Sequence, residues 1–269
     1  MKNRNIILAL VIPAVLSCAA AAPKVIAHRG YWDAPGSAEN SIRSLVKADS
    51  IGCYGSEFDV WMTKDGQLVI HHDAAINGVS IEGNTADVVR REKLPNGETI
   101  PTLDEYLRAA QPLNIRLVLE MKPHDSRSRE FAAVKKVLEL VKQYGLEERT
   151  DYISFSPEAF RNFINLAPKG TKVYYLCKDY IPAQISFMGG AGIDYEMNNM
   201  RRHAEWIEQC HDLGLEVNIW TVSDPDNISW CIDHGADYIT TNAPELVQKM
   251  IVNRPSDQLA AEEEAARKE

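Results

Sequence analysis

The stretch "IRLVLEMKPHDSRSREFAAVKKVLELVKQYGLEERTDYISFSPEAF", Ile115 to Phe160, changes its periodicity repeatedly. Ile115 to Lys122 is a short apolar run of strand length. From Arg129 to Tyr144, the residues Phe131, Val134, Val137, Leu138 and Val141 recur at helical spacing, and Gly145 is placed to close the helix. Asp151 to Ser156 is a second apolar run, after which "SPEAF" sets Ser156 at a helix cap and Pro157 in the first turn. Strand, helix, strand, helix is the rhythm of a parallel sheet covered by helices.

The same alternation runs through most of the chain. Further strand candidates are Val25 to Gly30, Ser56 to Val60, Leu68 to Asp73, Lys172 to Cys177, Gly192 to Met197, Glu216 to Val222 and Asp237 to Asn242. In Glu39 to Ser50, the residues Ile42, Leu45, Val46 and Asp49 fall at helical spacing, and "TLDE" from Thr102 to Glu105 reads as a capping box. No GxGxxG follows the first strand, so a (β/α)8 barrel is the expected architecture, over residues 23–255. Nine candidates are one too many for eight places, and one must lie outside the barrel. The link from Asp59 to Leu68 is too short for a crossover helix, so irregularity is expected at the second unit. Polar residues 74–101 read as a small insertion after the third strand candidate, and 256–269 as a charged tail.

Lys2 and Arg4 precede the apolar run Ile6 to Leu16, and "SCAAAAP" follows, which is the pattern of a secretory signal over residues 1–22. "VLSC" resembles a bacterial lipoprotein box with Cys18 acylated, and a cut near Ala20 to Ala22 is the alternative. Either predicts export, to a periplasmic setting, with a membrane tether through Cys18 in the first case. Cys53, Cys177, Cys210 and Cys231 are widely spaced, with no CxxC. The formal net charge of −9 argues against nucleic acid as a partner, and any phosphate chemistry needs local cations. Oligomeric state is not written in the sequence.

Residues two apart on a strand share a face, so Glu57 and Asp59 point the same way. A solvated outer face would tolerate them, whereas an inward face calls for a cation such as a hard metal ion. His28 and Arg29, His72 and Asp73, and Glu120 and Lys122 also sit at or near C-terminal ends of strand candidates, where barrel active sites are built. Glu120 and Lys122 share a face with Val118. At most one of His71 and His72 should enter the site, and alternation leaves open which.

"HRG" at His28, "ENS" at Glu39, "ExD" at Glu57, the "T-DG" turn, "HD" at His72 and "LEMK" at Leu119 together resemble the glycerophosphodiester phosphodiesterase family, a branch of the (β/α)8 phospholipase C-like phosphodiesterases. "SFSPEAF", "WTVSDPDN" and "GADYITTNAPE" are also similar to family segments. The resemblance implies metal-dependent hydrolysis of a small glycerophosphodiester to sn-glycerol 3-phosphate and an alcohol. It implies His28 and His72 as the acid/base pair, Glu57, Asp59 and Glu120 as ligands of one Ca2+ or Mg2+ ion, and Arg29 and Lys122 as phosphate-binding cations. Trp220 matches a tryptophan near the glycerol end of the site, and Glu39 and Asn40 match a pair that shapes the first loop. The segment "AAINGVSIEGNTADVV" departs from the family pattern, and its shortness suggests an open mouth and broad tolerance for the alcohol. A phospholipase C- or D-like action on intact lipid is the second reading, with "ISFMGG" (Ile185 to Gly190) as a candidate docking rim. A non-catalytic tethered binding protein is the third, although it would have no use for two proton-transfer groups.

Overall fold

The computed structural model describes residues 22–253. Cys18 and the tail from Ser256 lie outside the described residues. The chain runs β1 (Lys24–Ala27), α1 (Ile42–Ser50), β2 (Gly55–Met62), β3 (Leu68–Ile70), β4 (Ala75–Ile76), β5 (Val79–Ser80), α2 (Ala86–Val89) and α3 (Leu103–Ala110). It continues as β6 (Arg116–Met121), α4 (Arg127–Gln143), β7 (Thr150–Ser154), α5 (Pro157–Leu166), β8 (Val173–Tyr175) and α6 (Pro182–Met188). The last part is β9 (Gly192–Glu196), α7 (Met197–Arg202), α8 (Glu205–Asp212), β10 (Glu216–Trp220), α9 (Pro225–Asp233), β11 (Tyr238–Thr241) and α10 (Pro244–Val252). No helix among the described residues is long and apolar enough to cross a membrane.

Eight strands close a parallel barrel in the order β1, β2, β6, β7, β8, β9, β10, β11, with β11 pairing back onto β1. The ninth candidate is β3, which runs antiparallel to the far end of β2, with Val60 opposite Ile70 and Met62 opposite Leu68. A short turn cannot reverse the chain into a parallel partner, so the link over Thr63 to Gln67 makes a hairpin. This corrects one step of the sequence reading: His72 is not at the end of a barrel strand. The hairpin leaves the barrel and brings His72 back to the mouth.

Side chains alternate as the strand period requires. Phe58 and Val60 of β2 pack outward with Leu45, Tyr106 and Val137 in the layer between sheet and helices. Ile26, Val118, Ile153, Tyr174 and Tyr238 fill the barrel interior. The closed end is plugged by polar pairs, with Arg116 Nη2 donating to Asp151 Oδ1 at 2.7 Å and Lys172 Nζ to Glu216 Oε1 at 2.7 Å. After β3, the β4–β5 hairpin and α2 gather a small separate cluster of Trp61, Val69, Ile81, Val89 and Ile100. The first residues of β1 and the last of α10 both border a depression at the closed end.

The expected caps are present. Thr102 and Glu105 form the capping box of α3, Ser156 caps α5, and Gly145 follows α4 in the left-handed region. Two expected core positions turn outward: Val46 and Phe131 are exposed, and Ala48 and Ala133 are buried on the inner faces of those helices. In "ISFMGG", Ile185 is buried and Phe187 is 93% exposed, on a helix that runs down towards the start of β9. Phe187 therefore sits away from the mouth and forms no docking rim there.

Gly30, in the turn after β1, has φ +75°, and a Cβ there would come within 2.3 Å of Ser44 Oγ. Gly30→Ala is expected to destabilise the protein by about 2 kcal/mol or more, read by urea unfolding. It should also disturb the neighbouring Arg29.

Candidate active site

The interior face of β2 carries Glu57 and Asp59, and that of β6 carries Glu120, with Lys122 two residues beyond it on the same side. Register sets Asp59 beside Glu120. All four side chains are buried. Ligand oxygens of Glu57, Asp59 and Glu120 lie within 4.8 Å of one another. Lys122 Nζ lies 2.7 Å from Asp59 Oδ1 and donates to Glu120 Oε1 at 2.7 Å.

Three carboxylates in a buried space are undercompensated by one ammonium. Burial, then Asp59 and Glu120, push Glu57 well above the usual carboxylate range. Burial and Asp59 likewise push Glu120 up to about 8, against the pull of Lys122. Asp59 goes the other way, because Lys122 and the Asn40 amide overcome its burial and hold it low. The Glu57 Oε1 atom is buried without a hydrogen-bond partner. A clustered, all-oxygen donor set with an orphaned carboxylate oxygen fits a hard divalent cation.

The loop after β1 supplies the other groups, on strained backbone. Arg29 and Asn40 are non-glycine residues in the left-handed region, with φ of 57° and 59°. The turn aims the Arg29 amide at Glu57 Oε2, 2.7 Å away, and sets its guanidinium against Glu39 at 2.7 Å. Arg29 Nε is 3.8 Å from Asp59 Oδ2. Asn40 holds Asp59 at both ends, donating from Nδ2 to its Oδ2 at 2.7 Å and accepting from its amide at 3.0 Å.

The two histidines are held alike. Asn242 Oδ1 accepts from the Trp32 indole at 3.2 Å and lies 2.8 Å from His28 Nδ1. An indole only donates, so the atom facing it is the amide oxygen, and His28 Nδ1 carries a proton. The free Nε2 of His28 faces Glu57 at 4.0 Å. His72 Nδ1 is 2.7 Å from Asp73 Oδ1, which leaves its Nε2 free as well. Burial, then Arg29, push His28 down to about 4.

His28, Arg29, Glu57, His72 and Glu120 line one cavity of about 120 Å³, with Phe155, Leu176 and Trp220 on its opposite wall. Trp220 is fixed by donating its indole N–H to the Asp194 carbonyl at 2.8 Å, and Phe155 meets it edge-on at 5.5 Å. The expected acid/base, metal and phosphate residues thus converge; Asp59 and Lys122 do not line the cavity but adjoin it through their contacts with Arg29 and Glu120. His71 lines the adjoining cleft and not this cavity.

Sequence reasoning missed Asn242, which sits one residue past β11 and whose position at a strand end was the available signal. Asp73, next to His72 in the chain, reads from the sequence as orienting that ring or as shaping or capping its loop, and the structure sets it on His72 Nδ1; Asn40 reads only as shaping a loop. Asp194 was missed too: its inward place on β9 was legible, and burial pushes it up to about 7 with Oδ1 unpartnered.

Comparison with known proteins shows what the chain is similar to. Residues 28–246 match the profile of the glycerophosphoryl diester phosphodiesterase family. A glycerophosphodiester phosphodiesterase from Parabacteroides distasonis, known from a crystal structure, is 46% identical and superposes with a TM-score of 0.85, covering 86% of this chain and 98% of its own. The glycerophosphodiester phosphodiesterase of Caldanaerobacter subterraneus is 29% identical over 84% of this chain and 97% of its own. An Oleispira antarctica phosphodiesterase, solved with the product sn-glycerol-3-phosphate, is 23% identical with a TM-score of 0.76 over 86% of this chain and 98% of its own, and shares the barrel. With its barrel, its buried acidic cluster and a profile match over most of its length, the chain belongs to the glycerophosphoryl diester phosphodiesterase family.

Proposed function

We propose that this protein hydrolyses glycerophosphodiesters to sn-glycerol 3-phosphate and an alcohol, outside the cytoplasm. The observation that carries the reading is the meeting of two tautomer-fixed histidines, Arg29 and the buried cluster of Glu57, Asp59 and Glu120 around one small cavity. Glu57, Asp59 and Glu120 would hold a Ca2+ or Mg2+ ion, which supplies Lewis-acid polarisation of a phosphoryl oxygen. Arg29 binds a second phosphate oxygen, and Lys122, held between Asp59 and Glu120, adds positive charge beside it.

The free Nε2 of His28 takes the proton of the attacking oxygen, either water or the neighbouring glycerol hydroxyl. His28 suits that role because it is buried and neutral, and Asn242 fixes which nitrogen is free. His72 stands where the cavity opens and, as the imidazolium, gives its Nε2 proton to the departing alcohol, while Asp73 holds the Nδ1 proton and orients the ring. The indole of Trp220 and the ring of Phe155 pack the glycerol carbons.

The test is an assay of the purified protein on glycerophosphocholine, following the phosphorus-31 signal from diester to monoester, with and without chelator. Metal-dependent appearance of glycerol 3-phosphate is the expected result. No turnover, or turnover indifferent to chelation, would count against the reading.

A further inference from the structure

A second cavity of about 570 Å³ adjoins the reaction cavity, and His72 lines both. Its walls are the loop from Trp32 to Asn40, the segment His71 to Asp73, and Leu94 and Pro95 of the insertion. We propose that this cleft receives the leaving alcohol and favours one that carries an ammonium group. The inference rests on the phosphodiesterase reading above.

Position comes first. A phosphodiester held at Arg29 and His72 has two ester arms, and His72 stands between the two spaces. The smaller space, walled by Phe155 and Trp220, fits a three-carbon polyol. The larger one is left for the other arm, next to the proton donor that its oxygen needs.

Chemistry then selects the alcohol. Neither lysine nor arginine lines the cleft, whereas Trp32, Asp33, Glu39 and Asp73 do. Glu39 is paired with Arg29 and Asp73 with His72. The exposed Asp33 carboxylate makes no hydrogen bond or ion pair among the described residues. The indole N–H of Trp32 is committed to Asn242, so what remains for the cleft is carbon and π surface. An aromatic face beside a free carboxylate is the environment that attracts an alkylammonium ion. The formal charge of −9 adds a bias, because a zwitterionic diester is not repelled at long range as an anionic one is. The cleft is much larger than a choline group, so the result is a preference by charge and not an exclusion by size.

The experiment compares kcat/KM for glycerophosphocholine and glycerophosphoethanolamine with that for glycerophosphoglycerol and glycerophosphoinositol at low salt. The ammonium diesters should lead by about tenfold, and Asp33→Asn and Trp32→Leu should each cut that ratio by about threefold. Asp33 is exposed, so its variant leaves the fold intact. Equal rates on both classes in the wild type, or a ratio unmoved by both variants, would overturn the inference and leave the phosphodiesterase reading standing. If no diester of either class is cleaved, both fall.

Discussion

His28→Ala should lower kcat on a glycerophosphodiester by about 10²- to 10⁴-fold, the range for loss of a positioned general base. Circular dichroism and the unfolding midpoint should stay near wild type, because His28 makes one side-chain hydrogen bond, to Asn242, at the rim of the core. The contrast between a lost rate and a kept fold identifies chemistry. A residual activity within about threefold of wild type would remove His28 from the mechanism. The pH profile sharpens the test. Burial and Arg29 push His28 down to about 4, so the ring stays neutral and able to accept a proton across the neutral range. A loss of activity setting in near pH 6 is then expected to report on a group other than His28.

Glu57→Gln should cost about a hundredfold or more in kcat/KM, because it removes a ligand charge from the cation site while keeping the side chain's shape. Its burial and the repulsion of Asp59 and Glu120 already disfavour the ionised form of Glu57. The metal-free variant should thus be at least as stable as the metal-free wild type. What it should lose is the rise in melting temperature that added Ca2+ or Mg2+ gives the wild type. Protons supply an independent readout. Burial and Asp59 push Glu120 up to about 8, which favours its protonated form in the metal-free protein. A cation must displace that proton, and metal affinity should rise as pH rises towards 8. Calorimetry in two buffers of different ionisation enthalpy measures the release. No release at pH 7, or an unchanged metal response in Glu57→Gln, would place the ion elsewhere.

The barrel was legible in the sequence because helices and strands impose different periods, and Ile115 to Phe160 shows both within one stretch. The ninth strand was not, because a three-residue run such as Leu68 to Ile70 has the same composition whether it pairs parallel or antiparallel. Only the short turn before it carried the answer. At the site, alternation placed Glu57, Asp59, Glu120 and Lys122 on inner faces, since strand parity is a local property. The residues that escaped act across the fold. Asn242 touches His28 at a separation of 214 residues, and its place at a strand end marks it for the mouth without specifying that contact. Val46 and Phe131 were misplaced because the buried stripes run through Ser44, Leu45 and Ala48 and through Glu130, Ala133, Val134, Val137 and Val141, which leaves both side chains off the inner face.

The depression at the closed end is bordered by Pro23 and Val252, so the described chain enters the barrel on the side opposite the mouth. A lipid on Cys18 would reach the barrel through its blind end. A tether joined on that side would leave the mouth open to solutes passing by. Such a molecule would scavenge diesters already freed from membranes, and it would be poorly posed to take lipids from the surface on which it stands.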